Sequence, residues 1–475
     1  MKNITEHNII YTLDSYKHLH GEMLPEGTQY VESYCEARAG AKYDYVVFFG
    51  LQYIIKRWLT GVVVTKQLID EAEPLLKEHF KFSGDVWNRA KWDYIANVHG
   101  GKLPIKIMAI KEGTKIPVSN ALYTIVNTDP NCAWLTNALE TVLLHVWYGT
   151  TVCTRSNLIV NMVREYFKDT VSDEDQWLAD VSFHDFGQRG VTGMEQAGVG
   201  GAAHLVNSKG TDTVAGMIHA INYYNANIEG LAYSVPASEH SIATSLGKSG
   251  EFEVTKNLIK KYPNGILSVV SDSYDIENAI KMYCTELRPL ILARNGKFVV
   301  RPDSPRWTGD TPEAQVLWIV QELEKGYGST VNSKGYKVLH PSIGCIYGDG
   351  ITEVDIHNIL ETLRKNGYAA SNCVFGCGGY LLQRSLDRDT QRFALKSSAQ
   401  CRNGVWYDIY KEPKDTSKLS KKGRLAVANY GGNEDWVTLP TSLILPEDNK
   451  LELVFENGEL KRDQTFEEIR KNAQI

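Results

Sequence analysis

A chain of 475 residues that is 43% hydrophobic can bury a large core and hold more than one domain. Its formal charge of −6 argues against nonspecific nucleic-acid binding, which needs a surplus of Lys and Arg, but leaves room for a local basic cluster that binds phosphate. No apolar run is long enough for a bilayer, Met1–Asp14 lacks the apolar stretch of a signal peptide, and the 8 cysteines are too scattered for a secreted disulfide framework; a reducing, cytoplasmic setting without membrane partners is expected.

Up to about residue 175 the sequence mixes short β-rich segments with helices. Thr65 to Phe80 places Leu68, Ile69, Ala72, Leu75, Leu76 and Phe80 on one helical face, with Pro74 as an expected kink. Trp134 to Tyr148 is apolar nearly all round and reads as one buried helix. From about Val181 to Leu382 short β-branched runs end in Gly, Asp, Arg or His, and several are followed by helical segments. Ile266–Ser271 runs into Asp272, Phe298–Val300 into Arg301-Pro-Asp303, Ser342–Tyr347 into Gly348-Asp349-Gly350, and Cys373–Phe375 into Gly376-Cys-Gly378-Gly379. One helix is signalled by Thr311 as N-cap, Pro312 at its first position and Gly326 after its end; another starts near Thr352 and stops before Gly367. Alternating strand and helix predicts a parallel sheet, open or closed into a barrel, with function at the strand ends. The stretch from about Asp387 to Ile475 is rich in short strands and basic loops and is expected to return to the N-terminal region as a second domain.

Common nucleotide signatures fail. Gly247-Lys248-Ser249 ends like a phosphate loop, but Ile242 stands where the leading glycine belongs. Gly198–Ala203 matches a relaxed dinucleotide fingerprint without a preceding strand, and Ala197 to Val206 reads as a close-packed helix of small residues. Cys373 and Cys377 have no second Cys or His pair and read as buried thiols. Phe183–Gly190 offers His184, Asp185, Phe186 and Arg189 beside glycines, and Ser234–Ser241 sets Glu239 next to His240. Each alone reads as packing or an internally bonded loop. Their coincidence with Asp272, Arg301, Asp303 and Asp349 at strand ends of one domain suits a phosphorylated sugar: Asp for ribose hydroxyls or Mg²⁺, Arg and Gly-rich turns for phosphate. The set does not name a reaction.

His184–Gly190, Gly210–Gly216, Tyr233–Ser241 and Ser268–Asp275 resemble the nicotinamide phosphoribosyltransferase family. So do Asp14–Lys17, Phe49–Tyr53, Arg301–Ser304, Gly348–Gly350, Ser420–Leu425 and Glu468–Gln474, in order along nearly the whole chain. The resemblance implies an irregular α/β barrel of the type II phosphoribosyltransferase kind (residues 176–384) and a β-rich domain built from residues 1–175 and 385–475. It implies transfer of phosphoribose from phosphoribosyl pyrophosphate (PRPP) to nicotinamide in a homodimer with shared active sites. In the roles it implies, Phe186 stacks on the nicotinamide ring, with Tyr16 of the partner subunit on the other face. Asp212 accepts from the carboxamide nitrogen, and Arg301 and Ser268 lie near the carboxamide oxygen. Arg189, Gly348, Gly378 and Gly379 hold the 5′-phosphate, and Asp303 and Asp349 the ribose hydroxyls. His240 is the histidine that ATP phosphorylates, with Glu239 and Asp272 beside it. Arg38, Arg388, Lys396, Lys411 and Lys418 serve the pyrophosphate and ATP phosphates. Mg²⁺ is expected to be held mainly by the pyrophosphate.

The chain departs from the resemblance at Gln188, where an aromatic is usual, at Pro305 for Gly, at Tyr380 for a third glycine after Gly379, and at Ala394 for Ser. Two alternatives stand beside this reading: a nicotinate phosphoribosyltransferase, and a non-catalytic binding or signalling dimer on the same scaffold. Asp212 would repel the carboxylate of nicotinate.

Overall fold

The computed structural model describes residues 4–412, 414, 419–431 and 435–474. The chain forms two compact units, one of residues 155–219 and 227–385, the other of 1–154, 220–226 and 386–475.

The first unit is built on parallel strands: β1 (Phe183–Asp185), β2 (Gly210–Thr211), β3 (Leu267–Val270), β4 (Phe298–Arg301), β5 (Ile343–Tyr347) and β6 (Cys373–Cys377). Their order across the sheet is β2-β1-β6-β5-β4-β3. Every residue of β3 and β5 is buried, the continuous apolar pattern of strands covered on both faces. Both sheet edges bond to one segment: Tyr233 bridges Gly210 of β2, and Ala237 bridges Ser268 of β3. The sheet therefore curls into an irregular barrel.

Helices follow the strands, and two of them are capped by their own sequence. Thr311 accepts from Ala314 N ahead of Pro312–Tyr327, and Thr352 with Asp355 forms a capping box ahead of Glu353–Lys365. The first of these runs two residues past the expected stop. Gly328 (φ +82°) ends it, while Gly326 lies inside because a Cβ there would meet Cys284 Sγ at 2.5 Å. Met194–Leu205 is the close-packed helix expected, with Gly201 against Gly216. Cys373 and Cys377 are buried free thiols.

The second unit holds a seven-stranded antiparallel sheet in the order Val405–Asp408, Phe393–Arg402, Thr28–Ala37, Ala121–Asn127, Ile105–Ala109, Glu452–Glu456, Glu459–Leu460. N- and C-terminal segments meet here, as in the pairing of Tyr34 with Lys396 and Ala37 with Phe393. Thr65 caps Lys66–His79, which carries Pro74 within it. The single helix expected over Trp134–Tyr148 is instead Ala133–Ala138, Glu140–Leu144 and the start of Val146–Thr170. The breaks fall at Leu139 and His145, where ψ rises to −2° and −14°; neither Gly nor Pro marks them in the sequence. Among the described residues no helix is long and apolar enough to cross a membrane.

Candidate active site

The residues singled out at strand ends lie along the C-terminal rim of the barrel. Phe186 follows β1, Asp212 follows β2, Asp272 follows β3, Arg301 ends β4 with Asp303 beyond it, Gly348-Asp349 follows β5, and Gly378-Gly379 follows β6. Parallel pairing brings all six loops to the same end.

Phe186 is held by its own N–H, which donates to Cys377 O at 2.8 Å, and its ring lies against Gly376, where any Cβ would collide with it. Asp185 is buried and steadies both neighbours: its Oδ1 accepts from Gly187 N at 2.7 Å, and its carbonyl accepts from Asp212 N at 2.9 Å. Burial, and then the charge of Asp212, push the Asp185 carboxyl up to about 6 against the pull of the Gly187 N–H. Asp212 is exposed and accepts from Ser234 Oγ at 2.5 Å. The His184 ring packs against Gly210, where a Cβ would meet it at 2.9 Å, and burial holds its pKa down. Ser268 is buried in β3, its backbone bonded to Pro236 O and Ser238 N. Arg301 ends β4 at the rim and keeps a buried Nε with no hydrogen-bond partner. Gln188 accepts from Ala215 N at 3.3 Å, a structural use for the residue found where an aromatic was expected.

Around His240 the geometry is that of an oriented imidazole. Nε2 lies 3.3 Å from Asp272 Oδ1 and Nδ1 lies 3.6 Å from Asp303 Oδ2. Asp272 is fixed in turn, because its Oδ2 accepts from Asp303 N at 3.0 Å and from Ser304 Oγ. Glu239 faces the other way, accepting from Ser241 Oγ, with Arg189 Nη1 3.9 Å from its Oε2. The Arg189 side chain is 91% exposed. Asp349 is raised by burial and then by the charges of Asp303 and Asp272, so these carboxylates share one field. They do not form a ready three-ligand cage. Among the described residues the only His/Cys/Asp/Glu group converging that tightly is His99, Asp129 and Cys132 in the other unit. There Asp129 is occupied by Asn131 N, Tyr94 Oη and His99. Exposed Asp303 and Asp349 fit a Mg²⁺ that keeps its waters and takes most ligands from substrate phosphates.

Gly348 packs so closely on β6 that a Cβ would meet Gly376 O at 2.7 Å, whereas a Cβ on Gly379 would meet nothing within 4 Å. The backbone of Gly379 is thus open to a ligand. Tyr16, Arg38, Arg388, Lys396 and Lys411 belong to the other unit. Tyr16 is exposed and edge-on to His20 at 4.8 Å. Arg38 donates to Arg392 O and Arg388 to Phe393 O. Burial, then the charges of Arg38 and Lys411, lower the pKa of Lys396, so these three cations are neighbours. Lys418 lies outside the described residues. Sequence reasoning named Asp185 within Phe183–Gly190 but gave it no role of its own, and it gave none to Ser234 or Gly376; the signal at Gly376 was a glycine inside an otherwise apolar strand.

Two solved structures share the architecture, each with a TM-score of 0.60. One is nicotinate-nucleotide pyrophosphorylase from Pyrococcus furiosus (15% identity, 100% of this chain and 97% of that one), the other human nicotinic acid phosphoribosyltransferase (13%, 97% and 92%). The fold is that of the type II phosphoribosyltransferases. Residues 181–467 match the nicotinate phosphoribosyltransferase (NAPRTase) family, and residues 8–107 match the nicotinamide phosphoribosyltransferase N-terminal domain. Nicotinamide phosphoribosyltransferase of Xanthomonas campestris is 41% identical over 98% of both chains, and that of Acinetobacter baylyi 33% over 98% of this chain and 96% of its own. The chain belongs to the nicotinamide phosphoribosyltransferase family: an enzyme of phosphoribosyl transfer in NAD biosynthesis.

Proposed function

We propose that the enzyme joins nicotinamide to PRPP, giving nicotinamide mononucleotide and pyrophosphate, and that ATP stimulates the reaction by phosphorylating His240. The observation that carries the reading is the rim itself: an aromatic face at Phe186, a carboxylate at Asp212 and the orphan guanidinium donor of Arg301 stand beside the acidic pair Asp303 and Asp349.

The pyridine nitrogen of nicotinamide attacks C1′ of PRPP; the N–C1′ bond forms as the C1′–O bond breaks, and pyrophosphate leaves with the electron pair. The nucleophile carries no proton, so no base is needed. Phe186 and Tyr16 of the partner subunit sandwich the ring, while Asp212, Arg301 and Ser268 hold its carboxamide, aiming the nitrogen at C1′. Asp303 and Asp349 bind the ribose hydroxyls and favour the developing positive charge on the sugar. Arg189, Gly348, Gly378 and Gly379 hold the 5′-phosphate. Arg38, Arg388, Lys396, Lys411 and Lys418 of the partner subunit stabilise pyrophosphate and the ATP phosphates. Bound Mg²⁺ adds charge neutralisation on the diphosphate.

His240 takes the γ-phosphoryl group of ATP, the P–N bond forming as ADP leaves. Asp272 holds the Nε2 proton, which leaves the lone pair at Nδ1 for phosphorus; Glu239 adjoins the same loop. The homodimer and a cytoplasmic location belong to this reading. It is tested by incubating the protein with PRPP and Mg²⁺ and either nicotinamide or nicotinate, with and without ATP. Nicotinamide mononucleotide formation raised by ATP is expected. Preferential use of nicotinate would favour the alternative substrate, and no turnover with either would favour a binding role.

A further inference from the structure

Tyr380, which stands where a third glycine was expected, is tied to two other elements of its unit. It is 9% exposed and is the second residue of the turn of helix Gly379–Leu382. Its ring lies under the guanidinium of Arg155, 4.3 Å from Cζ to centroid, and Arg155 is completely buried. The same guanidinium donates to Tyr380 O, to Arg384 O at 3.0 Å and to Ser385 O at 3.2 Å. Ser385 has φ +55°, a conformation an L-residue seldom holds without support. The Tyr380 hydroxyl donates to Glu353, the first residue of the helix that follows Gly348-Asp349. Gly379 O accepts from Gln383 N and Arg384 N, closing the turn.

We infer that Tyr380, braced on Arg155 and Glu353, is a positioning residue that pre-orders the Gly378–Gly379 turn for the 5′-phosphate of PRPP. This rests on the reading of that turn as the phosphate site. Glycines carry the largest backbone freedom, and a loop ordered only on binding charges that ordering to the ligand. Tyr380 removes part of the freedom beforehand. Its ring covers one face of a buried cation, its carbonyl satisfies a donor of that cation, and its hydroxyl ties the turn after β6 to the helix after β5. Glycine at this position would keep only the carbonyl contact.

The experiment uses the full-length enzyme, with PRPP and nicotinamide varied separately. Tyr380→Gly should raise the KM for PRPP roughly tenfold, the scale of ordering a short loop, and move the KM for nicotinamide by less than about twofold. Tyr380→Phe keeps the ring over Arg155 and loses only the hydroxyl, so it should recover most of the loss. Arg155→Lys keeps the charge but not the planar fork, and should give a smaller rise of the same selectivity. It also serves if Tyr380→Gly fails to fold. Gly379→Ala tests the phosphate site by itself, because beyond its own turn the added Cβ meets no protein atom within 4 Å and stands in the way of a ligand. If Gly379→Ala raises the KM for PRPP while Tyr380→Gly and Arg155→Lys do not, or if those two raise both KM values alike, Tyr380 is packing and the inference fails. If Gly379→Ala changes nothing, the phosphate reading of the turn fails and the inference with it.

Discussion

His240 and Asp272 meet at 3.3 Å, Nε2 to Oδ1, and the acidic partner is the fixed one: its side chain is 5% exposed against 45% for the histidine. A carboxylate pinned by Asp303 N and Ser304 Oγ can set the imidazole tautomer without moving. His240→Ala should therefore keep basal synthesis of nicotinamide mononucleotide and lose stimulation by ATP, together with the acid-labile phosphate on the protein. Persistence of that phosphate in the variant would place the acceptor elsewhere.

Asp272→Asn should keep the shape of the pair and weaken its hold on the Nε2 proton. Phosphorylation of His240, followed with labelled ATP in a single turnover, should slow by roughly a hundredfold. Basal transfer without ATP should change much less. Equal loss in both would mean that Asp272 serves the sugar rather than the histidine.

Asp185 predicts a pH dependence of stability. Its carboxyl, ordinarily near 3.8, is raised to about 6 chiefly by burial. A raised carboxyl binds its proton more tightly in the folded state, so the stability it contributes is complete below its unfolded pKa and is lost as pH rises through about 6. Relative to Asp185→Asn, the wild type should lose about 2 kcal/mol between pH 4.5 and 7.5 in urea unfolding. A difference between the two proteins that is flat with pH would show that the carboxyl titrates normally.

The barrel was legible because its strands announce themselves twice, as β-branched runs and as the polar residues that end them. Thr311-Pro312 and Thr352 located helix starts because caps are local chemistry. The stop at Gly326 was misread because a glycine required for close contact with Cys284 looks, in sequence, like one that ends a helix. Of the candidate site, the strand-end residues were readable from pattern, and their roles came from resemblance. The roles of Asp185 and Ser234 escaped because their part is to steady a neighbour, as Asp185 does for Gly187 and Asp212 and Ser234 for Asp212. Such partnership depends on strands far apart in the chain. The Arg155–Tyr380 brace was hidden for the same reason, the two being separated by 225 residues.

A shared site requires complementation between subunits. Mixing inactive Tyr16→Ala with inactive Phe186→Ala should regenerate activity, since each mixed dimer holds one site with both aromatic faces. Random reassortment makes about half of the dimers mixed. No recovery despite demonstrated subunit exchange would count against the shared ring sandwich.

Asp212 should set the choice between nicotinamide and nicotinate. The two bases share shape and stacking surface, so Phe186 and Tyr16 cannot separate them; they differ in a carboxamide that donates N–H bonds or a carboxylate that only accepts. Asp212 is oriented by Ser234 Oγ on Oδ1 and by its own N–H on Asp185 O, which leaves Oδ2 to receive the carboxamide. That charge-assisted bond is worth about 1.5–3 kcal/mol once the ring and the partner's Tyr16 exclude water, roughly tenfold to a hundredfold in kcat/KM. Against nicotinate the same carboxylate acts by repulsion, with buried Asp185 adding to the negative field as it ionises above about 6. Asp212→Ser should lower kcat/KM with nicotinamide and raise relative use of nicotinate, because a hydroxyl can donate to a carboxylate. Arg301 stays to hold either oxygen, so the variant should remain active. The measurement is the ratio of kcat/KM for the two bases at saturating PRPP and pH 7.5, in wild type and variant. An unchanged ratio would remove Asp212 as the discriminator and leave Arg301 and Ser268 to account for selectivity.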